Sequence, residues 1–172
     1  MIQQVASLIV EQPVRPLPHR PAEDSDHALV QALLAEKVLT PQAAAPLLSR
    51  RNSGEARSLI ELLVAGQIAK LEDIMVGVVQ RSGLPYLPLA QYNAPESTAW
   101  LLPADFCARH SLVPFDRMSR AVLVATANPF DQAARDEVAR RLGCRVFWFV
   151  SAPAEIAALL ERAHQGKTQR NS

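Results

Sequence analysis

Two cysteines, Cys107 and Cys144, are all that the 172 residues hold. They fit no metal-ligand spacing and are too few for a disulfide scaffold, so both are expected as free thiols in a reducing compartment, packed as small hydrophobes. The chain also lacks a charge imbalance: 18 Lys and Arg against 17 Asp and Glu leave +1. That supplies no field to gather nucleic acid or anionic lipid, so a partner must be recognised by a local surface. No apolar run reaches the ~20 residues of a membrane span, which argues against direct membrane insertion. The opening MIQQVASLIVEQP has neither a basic n-region nor a small-residue cleavage site, and the expected location is the cytoplasm.

Reaction chemistry is also missing. Gly166-Lys167-Thr168 invites comparison with a phosphate-binding loop, but Glu161 stands where the first glycine belongs and the preceding residues read as helix. His19, His27, His110 and His164 fall in separate segments without a ligand at metal spacing. Glu72-Asp73 and Asp136-Glu137 read as solvated helix faces, and Ser111 and Ser119 have no nucleophile-elbow context. Neither catalytic nor metal-ligating residues are expected.

What is present, 49% apolar and 20% charged residues, suffices for one domain or two small ones. Residues 1–24 read as a mobile arm: an apolar decapeptide, then Pro13, Pro16, Pro18 and Pro21, too closely spaced for a helix. From Asp26 the spacing turns helical, with Val30, Leu33 and Leu34 on one stripe, and Thr40-Pro41 opens a second helix through Leu47 and Leu48. After the polar RRNSGEAR the pattern returns as Leu59, Leu62, Leu63, Ile68, Ile74 and Val78. A slide of 29 residues lays Val30 on Leu59, Leu33 on Leu62 and Leu39 on Ile68, a duplicated helix-turn-helix whose copies bury each other's stripes. GLPYLPL, residues 83–89, reads as an extended segment able to add an edge strand, and residues 90–100 as a linker. Trp100 and Leu101 are expected to anchor a helix over 103–110.

The second half carries the clearest pattern. Leu112–Phe115 and Ala121–Thr126 read as strands around a polar turn, residues 116–120. An Asn-Pro-Phe-Asp corner then opens a helix, capped by Asp131 with Asn128 as the alternative, and Gly143 closes it. Arg145–Val150 reads as a strand returning parallel to 121–126, and Pro153 starts a last helix striped by Ile156, Leu159, Leu160 and Ala163. The fold class is α+β: an N-terminal helical lobe of duplicated helix-turn-helix units (25–89), a linker (90–100), then a small β-β-α-β-α lobe (101–166) with helices against one sheet face and a tail (167–172).

LPADFCARHSLVPF, followed by AVLVATANPFDQAARDEVARRLGCRVFWFVSAPAEIAALLERA, resembles the N-terminal domain of type II secretion and type IV pilus assembly ATPases, the MshE-type N-terminal domain. The resemblance spans roughly residues 25–166 and departs where Asn128 replaces the usual Asp. It implies a non-catalytic domain that docks an assembly ATPase, in cis or in trans, onto the cytoplasmic part of an inner-membrane platform protein, and so a peripheral place at that membrane. The hairpin 116–120 and arm residues Ile2, Val5, Leu8 and Ile9 are the candidate docking surfaces.

The alternative implied by the resemblance is a cyclic di-GMP sensor regulating an attached ATPase or glycosyltransferase. In some members each helical copy binds this nucleotide through an Arg-Leu-Gly start, a later Gly-x-Ile and a closing Gln. Here the second copy offers Arg57, Gly66, Ile68 and Gln80, while the first has Ala28, Lys37 and Arg51 at the Arg, Gly and Gln places. An Arg can pair with phosphate and a Gly lets backbone approach a ligand; otherwise Arg57 is a surface cation and Gly66 a helix C-cap. With half the contacts missing, no cofactor is expected.

Overall fold

A computed structural model describes residues 25–52 and 58–170. The proline-rich arm and Arg57 lie outside the described residues. Four helices open the fold: α1 (Ser25–Ala35), α2 (Pro41–Asn52), α3 (Leu59–Ala65) and α4 (Leu71–Ser82). Pro41 sits at the first position of α2, where its missing N–H costs nothing. Ser58 caps α3 reciprocally: its Oγ accepts from Glu61 N at 3.3 Å while its own N–H donates to Glu61 Oε2 at 2.9 Å.

The duplication is real, but its period is 30 residues. After α1, Val38 N donates to Leu33 O at 2.9 Å and Lys37 N to Leu34 O at 3.1 Å. After α3, Ile68 N donates to Leu63 O at 2.9 Å and Gln67 N to Val64 O at 3.0 Å. Both are Schellman closures, with a left-handed residue, Lys37 (φ 58°) or Gln67 (φ 52°), at the turn. The slide of 29 is therefore corrected by one residue. Apolar doublets such as Leu33-Leu34 and Leu62-Leu63 match in either register, and only the caps distinguish them.

Gly83, in the left-handed conformation (φ 68°), ends α4. The chain then runs straight to the sheet. Val150 N donates to Pro85 O and Leu87 N to Val150 O, both at 2.9 Å, so Tyr86 forms the expected edge bridge, parallel to Val150. The expected linker carries the short helix α5 (Glu96–Ala99), with Thr98 and Ala99 buried. Helix α6 (Ala104–Arg109) is anchored by Leu102, 1% exposed; Trp100 and Leu101 are only half-buried.

Three strands follow, β1 (Leu112–Met118), β2 (Ala121–Thr126) and β3 (Arg145–Val150), in the order β1-β2-β3. Between β2 and β3 lies α7 (Gln132–Leu142); α8 (Pro153–Arg170) ends the fold. The β1–β2 pair is antiparallel with an irregularity between Pro114 and Asp116; β2–β3 is parallel. The hairpin is tighter than the sequence suggested: Asp116, Arg117 and Met118 pair with Leu123, Val122 and Ala121, leaving Ser119 and Arg120 as the turn. Asp131 and Gly143 cap α7 as expected.

Both sheet faces are covered, against the expectation of one. Val122 through Thr126 are all buried, although successive residues point to opposite faces. On one face Arg135 of α7 lies 5.0 Å from the Trp148 ring centre. On the other, Phe115 meets Phe149 and Tyr92 edge-on at 5.5 and 5.3 Å. One continuous apolar cluster links Leu33, Leu63 and Ile74 of the helical repeats to Leu89, Phe149 and Ile156.

Candidate functional site

The α3–α4 turn holds two of the expected ligand residues. Gly66 follows α3 with an ordinary φ of −78°; the left-handed place falls to Gln67. A Cβ at Gly66 would stand 3.1 Å from Leu62 O and 3.3 Å from Ile68 Cδ1, so glycine keeps the backbone open beside an exposed isoleucine. Ile68 and Val64, 37% and 39% exposed, border a shallow depression continued by Lys70, Leu71 and Asp73. Gln80 is exposed on α4 and does not line it.

With the period set at 30, the residues of the first copy that match Arg57, Gly66, Ile68 and Gln80 are His27, Glu36, Val38 and Arg50, not Ala28, Lys37, Leu39 and Arg51. Val38 is half-buried against α4: a Cβ added to Gly77 would meet its Cγ2 at 2.9 Å. The first turn is therefore closed where the second is open.

A second concavity was not visible in the sequence. A cleft of about 800 Å³ separates the starts of α1 and α3 from α6, the corner after β2 and α8, with Ser25, Glu61, His110, Asn128, Asp131 and Ile156 among its walls. Asn128 joins the two sides, because its Nδ2 donates to Ser25 O at 3.2 Å while its Oδ1 accepts Phe130 N at 3.2 Å. An aspartate there could not donate to Ser25. Asn128, the departure from the usual Asp, is therefore matched to a contact across 103 residues of sequence.

Asp131 bridges two elements in the same way. Its Oδ1 accepts Ala134 N at 3.0 Å, and its Oδ2 lies 2.9 Å from His110 Nδ1. A histidine oriented by a carboxylate is half of a nucleophilic device, and two of the hydroxyl and thiol groups lining the same cleft are otherwise engaged. Ser58 is held in its capping box, and the buried Cys107 thiol is pushed up to about 12, first by desolvation and then by Asp105. Among the described residues no group of three or more His, Cys, Asp or Glu stands together as metal ligands. Gly166-Lys167-Thr168 runs inside α8, so its backbone N–H groups do not converge on a phosphate. No helix among the described residues is long and apolar enough to cross a membrane.

Residues 82–170, from the end of α4 through α8, match the family model of the MshEN domain. The chain belongs to the MshEN domain family. This is the family that the sequence resembles, and the match rests on the α+β lobe; Arg57, Gly66, Ile68 and Gln80 all precede it. Solved structures share the fold of this MshEN domain. One described as MshE with cdg is 16% identical, with a TM-score of 0.59 over 78% of this chain and 97% of that one. The N-terminal domain of XpsE is 24% identical, with a TM-score of 0.62 over 85% and 98%. A second crystal form of it gives 23% and 0.55 over 85% and 99%. A search of curated proteins finds no match.

Proposed function

We propose that this MshEN domain is a non-catalytic docking and regulatory module of a bacterial type II secretion or type IV pilus system. It holds an assembly ATPase, in cis or in trans, against the cytoplasmic part of an inner-membrane platform protein. The observation that carries the reading is the family match to the α+β lobe, whose Asn128, Asp131 and Ser151 serve as caps and struts. A domain that is not itself catalytic acts through surface, and the two candidate surfaces are the β1–β2 hairpin and the arm. Pull-down against the platform protein's cytoplasmic domain tests this. Binding is expected to weaken on deleting residues 1–22 or on replacing 116–120 with a glycine turn, and the variant that weakens it identifies the surface. Failure of the intact, folded chain to bind at tens of micromolar, about 6 kcal/mol, would sink the reading.

A second reading is favoured by the MshE structure with cdg, cyclic di-GMP. The open α3–α4 turn, with Gly66 and Ile68, then takes the nucleotide together with Arg57 and Gln80. The first turn, closed against α4 and carrying Glu36 at the glycine place, supplies no matching half, so binding is expected to be weak. Calorimetry with cyclic di-GMP on the chain and on Arg57→Ala separates the readings. A dissociation constant near 1 μM, about 8 kcal/mol, lost in the variant, would establish the nucleotide reading instead.

A further inference from the structure

The charge of this near-neutral chain is unevenly placed. At one end of the sheet β1 finishes while β2 and β3 begin, and Met118 and Arg145 both pair with Ala121 while Arg117 pairs with Val122. Arg120 occupies the turn between them. Helix α7 ends beside the same edge, with Arg140 and Arg141 in its last turn and Gly143 leading into β3. Arg140 and Arg141 turn back along α7 to Glu137, Arg141 also lying 5.2 Å over the Phe106 ring, so Arg117, Arg120 and Arg145 are the arginines left at this sheet end of a chain whose net charge is +1.

The local carboxylates are already engaged. Glu137 accepts from Arg140 at 2.6 and 2.8 Å and from Arg141 at 2.5 Å, and those hydrogen bonds hold its pKa well below the usual carboxylate range, at about 2. Asp116 turns an oxygen to the backbone N–H of Arg117 at 2.7 Å. Among the described residues Arg117, Arg120 and Arg145 form no ion pair; Arg145 instead stacks over the Phe147 ring at 4.6 Å. All three are exposed, with Met118, 36% exposed, beside them.

We propose that the sheet end formed by Arg117, Arg120 and Arg145 is a carboxylate-binding surface for an acidic segment of a partner protein. Guanidinium forks match carboxylates in two-bond geometry, which lysine cannot do, and arginine is enriched at protein interfaces. Strands and a two-residue turn fix the backbone of these residues and Arg145 stacks on Phe147, so less chain freedom is lost on binding than on a flexible basic tail. A single exposed methionine is too little apolar surface for burial in a bilayer, so a polypeptide is favoured over lipid. The proposal rests on the docking reading and gives its partner a sign.

The test uses the full chain, an Arg117→Glu/Arg120→Glu/Arg145→Glu variant, and Arg81→Glu on α4 as the control. A labelled deca-glutamate peptide and phosphatidylglycerol vesicles are the two probes, each at low and high salt. Peptide binding is expected to fall about tenfold in the triple variant, because three exposed attractions become repulsions, and to weaken with salt. The control should bind as the parent does. Equal peptide affinity in the parent and a folded triple variant overturns the proposal, as does vesicle binding without peptide binding. Capture of the platform domain that survives the triple reversal would keep the docking reading and remove this surface from it.

Discussion

Gly77 is a glycine in the middle of α4, where alanine would favour the helix by about 1 kcal/mol. It is buried, and an added Cβ would lie 2.9 Å from Val38 Cγ2, 3.4 Å from Leu33 Cδ2 and 3.5 Å from Glu36 Cβ. Carbon atoms rest about 3.5–4.0 Å apart, so Val38 would have to retreat by about 0.6 Å or more. It cannot easily do so, because a β-branched side chain is stiff at χ1 and the backbone N–H of Val38 is fixed to Leu33 O at 2.9 Å. Overpacking of this kind costs about 1–3 kcal/mol and outweighs the propensity gain. Gly77→Ala should therefore destabilise the domain by about 0.5–2 kcal/mol, lowering the melting temperature by roughly 2–6 °C. Denaturant unfolding of Gly77→Ala, Val38→Ala and the double variant measures the coupling. The double variant should recover about 1 kcal/mol relative to the sum of the singles. A Gly77→Ala chain more stable than the parent, or additive singles, would refute the close-approach argument.

Asn128→Asp should cost about 1–3 kcal/mol in the same assay, since it sets a carboxylate oxygen against Ser25 O and removes a donor. The lowered pKa of Glu137 means that its ion-pair cluster contributes fully above the ordinary value of 4.5 and is lost as pH falls towards about 2. Melting temperatures of the parent and Glu137→Gln should thus differ most near neutral pH and converge by about pH 2; a difference unchanged down to that pH would contradict the assignment. Cys107, with its thiol held near 12, should resist iodoacetamide at about pH 8.5 in the folded chain and react in urea, as read by peptide mass spectrometry.

Local causes were legible in the sequence, and long-range ones were not. Asp131 and Gly143 could be placed at the ends of α7 because a cap depends on its neighbours alone, and Arg145–Val150 declared itself by its branched and aromatic residues. The order of elements also sufficed to identify the family. The 30-residue period was missed by one because apolar doublets carry no register, whereas the left-handed Lys37 and Gln67 that fix it look like ordinary polar residues. The inter-lobe cleft depends on Asn128 reaching Ser25, and no periodicity encodes that pairing. Of the four candidate ligand residues, Gly66, Ile68 and Gln80 are placed, but only Ile68 lines the depression beside the open turn.

The segment after α4 has a mechanical consequence. Gly83 ends the helix and Pro85 is already bonded to Val150, so almost no slack separates the repeats from β3. Beyond it, Ser151 Oγ donates to Leu87 O, Glu155 Oε2 accepts Leu89 N at 3.1 Å, and Arg162 reaches Leu89 O and Tyr92 O. The strap is thus riveted along its length to β3 and α8. A pull or twist applied to the helical repeats passes into the sheet through a taut tie rather than being absorbed by a hinge, which is what the proposed docking role would require of the domain.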